Sequence, residues 1–104
     1  MERNPDLSSV THDQSKSRFK VSLGDREAVL VYELRDGKLA LLHTEVPQPW
    51  AGRGIATALA RAALNYARSS QLQVIPLCGF VSSYIRRHPE YMDLVEQSYK
   101  DRVA

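Results

Sequence analysis

The stretch Glu45 to Ala67, EVPQPWAGRGIATALARAALNYA, ends an extended run with two prolines and sets Gly52-Arg53-Gly54 directly against an alanine-rich segment. Pro47 and Pro49 remove backbone donors and fix φ, so the strand arriving from Leu39 stops there and the chain turns. From Gly54 onward Ile55, Leu59, Ala62 or Ala63 and Tyr66 recur at helical spacing through about Ser69, with Arg61 and Arg68 off that stripe. The small alanines let such a helix lie close against a sheet. A strand, a glycine turn and an amphipathic helix in this order place the chain among the α/β folds.

The flanking segments extend that frame. SRFKVSLG, REAVLVYELRDG and KLALLHTEV read as three strands, separated by Gly24-Asp25 and by Asp36-Gly37. Asp-Gly is the hairpin dipeptide, because a two-residue type I′ turn needs positive φ at both positions. LQVIPLC reads as a short buried strand, FVSSYIRRH as a helix ended by Pro89, and EYMDLVEQSYKDRVA has no clear period. A strand, a helix and a strand imply a parallel crossover. The expected fold is α/β, a mixed and mainly antiparallel sheet with one β-α-β crossover.

With 104 residues the chain holds one domain of modest core. The first sixteen residues are polar and aperiodic, so a flexible lead-in over 1–16 and a folded unit over 17–104 are expected. The balance of 14 Lys and Arg against 12 Asp and Glu contains no dense basic tract, which argues against nucleic-acid binding. A single cysteine, no long apolar segment and no charged-then-apolar start point to the cytoplasm, with no membrane contact, no metal site and a monomer as the expected state.

The chemistry concentrates at two places. A helix beginning after Gly52-Arg53-Gly54 offers unpaired N–H groups and the positive end of its dipole, and glycine admits an anion without a Cβ in the way. A simple connecting turn is the alternative. On the neighbouring strand Pro76 has no N–H for a ladder, so the Leu39–Val46 and Leu72–Cys78 strands should splay and open a slot. By period 2, His43 and Glu45 share one face, Thr44 and Val46 the other, and Pro76 and Cys78 project together.

The glycine segment resembles the coenzyme A signature of the GCN5-related N-acetyltransferases, Q/R-x-x-G-x-G/A, with Ala51, Gly52, Arg53, Gly54, Ile55 and Ala56 in register. VIPLCGFVSSYIRRHPEYMDLV, with the upstream HTEV, resembles a small single-domain branch that carries a cysteine after its fifth-strand equivalent. The signature's first Gln or Arg is Ala51 here. The resemblance spans about Arg18 to Val95. It implies splayed central strands, acetyl-CoA as acyl donor, pantetheine in the gap, and pyrophosphate on the amides of Gly52, Arg53, Gly54, Ile55, Ala56 and Thr57, with Val46 supplying backbone contacts. It further implies transfer of the acetyl group to an amine, borne by an unidentified small molecule or protein.

In that frame Glu45 matches the position of a general base and His43 can share its proton, each against the alternative of a structural ion pair. Tyr84 matches the general acid near the sulfur, against an aromatic filling a gap. Cys78 is either an acylated nucleophile, favoured by His43 or the start of the next helix, or a buried apolar filler. Two further readings of the whole chain stay open, a coenzyme A-binding module without turnover and a protein-interaction domain with a vestigial loop. The short chain leaves the acceptor side open.

Overall fold

A computed structural model describes residues 9–103. Five strands, β1 (Thr11–Asp13), β2 (Arg18–Leu23), β3 (Arg26–Arg35), β4 (Lys38–Glu45) and β5 (Gln73–Pro76), form one sheet in the order of the sequence. The first four pair antiparallel, and β5 runs parallel to β4 after the crossover through α1 (Ile55–Ser69). The mixed, mainly antiparallel α/β sheet read from the sequence is therefore the fold. Helix α2 (Gly79–Arg87) follows, then two 3₁₀ turns and the short α3 (Lys100–Val103).

Both hairpin turns follow from their dipeptides. Asp36 and Gly37 take φ of 51° and 75°, the double positive pattern of a type I′ turn, and the ladder resumes at once with Arg35 opposite Lys38. At the other hairpin Gly24 is positive and Asp25 is not, the sign pattern of type II′.

Phe19, Val21, Ala28, Leu30, Tyr32, Leu39 and Leu41 line one face of the sheet and form a single core with Ile55, Leu59, Ala63 and Leu64 of α1 and Val81 and Ile85 of α2. Ala63, not Ala62, completes the α1 stripe, and Arg61 and Arg68 stay outside. The opposite face carries the polar Lys20, Glu27, Glu33, His43 and Glu45, with Val29 and Val31 among them. The segment after α2 covers the outer edge of β5: Val95 bridges Val74, and the Glu96 amide donates to the Val74 carbonyl at 2.8 Å. An uncovered edge would present unpaired backbone groups to other chains.

One expectation about the start of the chain is modified. Residues 1–8 lie outside the described residues, but within the supposed lead-in Thr11–Asp13 forms β1, with His12 opposite Phe19. The His12 ring stacks on Phe19 at 4.2 Å, meets the Tyr66 ring of α1 edge-on at 4.4 Å, and lies 2.6 Å through Nε2 from the Tyr32 hydroxyl. A polar run without a period gave no sign of this, because the stabilising partners are far along the chain.

Burial holds the His12 imidazole below its ordinary value of 6.5, the Asp13 carboxylate opposing the shift only in part. The unfolded chain therefore takes up this proton at a higher pH than the folded one, and the contribution of His12 to stability is lost as pH falls from about 6.5 toward the lowered value. Denaturant titrations between pH 7.5 and pH 5 should show this loss. In His12→Phe that component should vanish, and an unchanged pH profile in the variant would assign the acid sensitivity to other groups.

Candidate functional site

The β4–β5 ladder stops at Leu41 opposite Pro76, while β4 continues to Glu45. Pro76 is the last paired residue because a ladder cannot use a residue without an N–H. One more main-chain bond follows, from the Cys78 amide to the Leu41 carbonyl at 2.9 Å, before the chain turns into α2. The end of β4 is thereby left without a β5 partner, which is the splay expected from the sequence.

A cavity of about 300 Å³ opens beside that end, lined by Val46, Trp50, Ala51, Gly52, Gly54, Ile55, Ala56, Thr57 and Phe80. Six of the seven residues assigned to coenzyme binding from the sequence, Val46, Gly52, Gly54, Ile55, Ala56 and Thr57, are on its wall. The seventh, Arg53, places its guanidinium 5.0 Å over the Trp50 ring, a cation–π arrangement that stiffens the loop. Trp50 and Phe80, both half-buried, supply the aromatic part of the lining. Phe80 was not singled out from the sequence; its place in the first turn of α2 brings it there.

Gly54 is the N-cap of α1 with φ of 81°, and no side chain caps the helix. Gly52 also has positive φ, 80°, and a Cβ at either glycine would meet nothing within 4 Å. The glycines thus serve a left-handed backbone and leave open space over the first-turn amides. That strain changes which substitution is informative. Gly54→Val forces a β-branched residue into the left-handed region and would unsettle the loop as well as block it. Gly54→Ala should already cost about 1–2 kcal/mol, which for a domain of this size lowers the melting temperature by roughly 4–16 °C. Unchanged melting would mean that the loop relaxes away from the left-handed geometry.

The residues expected to perform chemistry fall into separate groups. His43 and Glu45 lie together, Nε2 to Oε2 at 3.6 Å, on the polar face of the sheet, with side chains 54% and 72% exposed. Cys78 is on the other side of β4, 6% exposed, with Sγ 3.3 Å from the Thr44 hydroxyl. The separation has a local cause. Val31 pairs with His43 but Tyr32 pairs with Leu41, so Leu42 is an extra residue, a β-bulge. Without it, period 2 would carry the buried face of Leu39 and Leu41 on to His43 and Glu45. With it, Thr44 opposite Leu30 takes that face and the titratable pair turns outward.

Two expectations bear on this geometry. Activation of Cys78 by His43 fails because the backbone of β4 lies between them; the neighbour of the thiol is Thr44, which offers a hydrogen bond but no base. The start of α2 remains close, since Cys78 is its N-cap. Tyr84 is buried in the core, stacked on His88 at 4.2 Å, and lines neither this cavity nor the groove described next. Burial pushes its hydroxyl above the usual tyrosine range, with Tyr91 adding to the shift.

On the polar face a second, wider space of about 600 Å³ is lined by Arg18, Arg26, Glu27, Val29, Glu45, Val46, Pro47 and Gln48. Val46 belongs to both spaces. A group at the inner end of the narrow cavity is therefore adjacent to the groove that holds the Glu45 carboxylate. No cluster of three or more metal-ligating side chains occurs among the described residues, nor does any helix long and apolar enough to cross a membrane.

A sheet interrupted beside a glycine-started helix, with an apolar cavity at the interruption, is the arrangement that the sequence resemblance implied. The family model described as GCN5-related N-acetyl-transferase matches residues 18–94, and the chain belongs to that family. Among named proteins it is similar to Protein NATD1 of Mus musculus, 37% identical over 93 residues that cover 84% of each chain. Protein NATD1 of Gallus gallus is 39% identical over 84 residues, covering 77% of this chain and 76% of its own. Protein NATD1 of Danio rerio is 33% identical over 91 residues, 83% of each.

Proposed function

We infer that this chain binds acetyl-CoA and transfers the acetyl group to an amine. The observation that carries the reading is the narrow cavity: its lining runs from the unpaired end of β4 at Val46 to the uncapped amides of Gly54 through Thr57. Those amides and the helix dipole suit a pyrophosphate, and the apolar walls of Trp50 and Phe80 suit the uncharged arm between pyrophosphate and thioester. The open Cβ space at Gly52 and Gly54 leaves the close approach that an anion needs.

The acceptor would lie in the groove, where Glu45 takes the proton lost as the amine becomes nucleophilic. The amine nitrogen forms a bond to the carbonyl carbon, the carbon–sulfur bond breaks, and coenzyme A leaves with the sulfur electron pair and gains a proton from solvent. His43, 3.6 Å from Glu45, can pass the accepted proton outward. Direct transfer is supported over a cysteine intermediate, because Glu45 is an exposed carboxylate on the wider groove while Cys78 is 6% exposed and its sulfur is hydrogen-bonded to the Thr44 hydroxyl, which is no base.

Calorimetric titration with acetyl-CoA and with coenzyme A tests the ligand, and intact-mass measurement after incubation with acetyl-CoA tests the route. Both ligands should release or absorb heat with one-to-one stoichiometry, and the protein should carry no added acetyl group. An acetyl group trapped on Cys78 and lost in Cys78→Ala together with transfer would replace direct attack by the two-step route. Heat without transfer to any amine would reduce the domain to a coenzyme-binding module, and the absence of heat would leave a protein-interaction domain.

A further inference from the structure

The groove beside Glu45 holds four charged side chains, and most of their charge is already engaged. Arg18 is bound to Asp13 at 3.5 Å and to Glu27 at 3.0 Å, and Glu27 also meets Lys20 at 3.4 Å. Two charges are left. Glu45 meets only the His43 ring, and Arg26, exposed at the start of β3, has no ion pair among the described residues. The antiparallel register places Glu45 opposite Val29, so Arg26 stands three residues before Val29 at the start of β3, about 10 Å of strand; the odd offset sets it on the pleat of Ala28 and Leu30, and it lines the groove from the hairpin end.

We propose that the acceptor is a small amine carrying an anionic group a few bonds from its nitrogen, with Arg26 holding the anion and Glu45 the amine. This rests on the preceding reading of Glu45 as the group that receives the amine. A zwitterion of this kind is the only class that uses both remaining charges. A polycationic acceptor would bring its second ammonium against Arg26, and a purely apolar amine would leave the guanidinium without a partner. The volume near 600 Å³ is in the range that encloses small molecules. Carboxylate and phosphate share the chemistry that a guanidinium recognises.

The test compares acceptors of matched length with acetyl-CoA as donor: 4-aminobutyrate, 3-aminopropylphosphonate, butylamine and 1,4-diaminobutane. The expected order of kcat/KM puts one or both anionic amines at least ~10-fold above butylamine, the worth of one charge-assisted hydrogen bond, with the diamine last. The better of the two anionic amines identifies the carboxylate or the phosphate source. In Arg26→Glu the ratio of 4-aminobutyrate to 1,4-diaminobutane should invert, through KM rather than kcat. Equal use of butylamine and both anionic amines, a leading diamine, or an order unchanged in Arg26→Glu would overturn the proposal while leaving acetyl transfer standing. If no amine is acetylated, nuclear magnetic resonance titration of the coenzyme A-saturated protein decides separately. Saturable shifts at Arg26 and Val46 with either anionic amine and not with butylamine uphold the groove as a zwitterion site and refute transfer; no shifts with either anionic amine overturn the site as well.

Discussion

Glu45→Gln is expected to lower kcat for acetyl transfer by ~10²–10⁴, the loss typical of a removed general base, with acetyl-CoA affinity unchanged. The reasons are positional. Glu45 is 72% exposed on the side of β4 away from Cys78, it borders the acceptor groove, and it adjoins Val46 of the narrow cavity without lining that cavity itself. The amide keeps shape and hydrogen bonding but takes no proton. His43→Gln should cost less, because the ring relays a proton that solvent can also remove from an exposed carboxylate. Equal turnover in Glu45→Gln with a saturating amine would make Glu45 a structural partner of His43 and require another base.

Ala56→Glu should weaken acetyl-CoA binding at least ~100-fold while leaving the fold intact or slightly stabilised. Ala56 is half-buried in the first turn of α1 and lines the narrow cavity, so a carboxylate there would occupy the position intended for the pyrophosphate. Two like charges about 5 Å apart at an effective dielectric near 20 repel by ~3 kcal/mol, which is about two decades in affinity. The same carboxylate is favourable to the helix itself, since acidic residues in a first turn complement the dipole. Unchanged affinity measured by calorimetry, with the helical circular dichroism retained, would move the nucleotide away from this helix start.

The neighbouring Arg53 allows a useful comparison. Its guanidinium rests over Trp50 and does not line the cavity, so the loop amides and not this cation are the expected anchor for the diphosphate. That is consistent with Ala51 standing where the signature has Gln or Arg, because main-chain donors do not depend on that side chain.

Much of this protein was determined by sequence alone, wherever the physical cause is local. Asp36-Gly37 dictates its turn because two adjacent residues must take positive φ. Pro76 ends the β4–β5 ladder because it lacks a donor, and Gly52 and Gly54 start α1 because only they take that backbone without strain. The amphipathic period of Ile55–Ser69 shows which side of the helix meets the sheet. Apart from Phe80, the lining of the narrow cavity was legible for the same reason, being one continuous segment plus the strand end before it.

Tertiary structure alone decided the relations between segments. No feature of KLALLHTEV marks Leu42 as a bulge, since that residue becomes surplus only when β4 is laid against β3. The bulge turns His43 and Glu45 to the polar face, with Glu45 on the wider groove, and gives Thr44 to Cys78. Tyr84, singled out by resemblance, is buried against His88 and the core, while Phe80 reaches the cavity one turn earlier. His12 finds Tyr32 and Tyr66 across 20 and 54 residues of chain. Period and propensity act over a few residues, whereas register and burial are settled by partners that the local sequence does not contain.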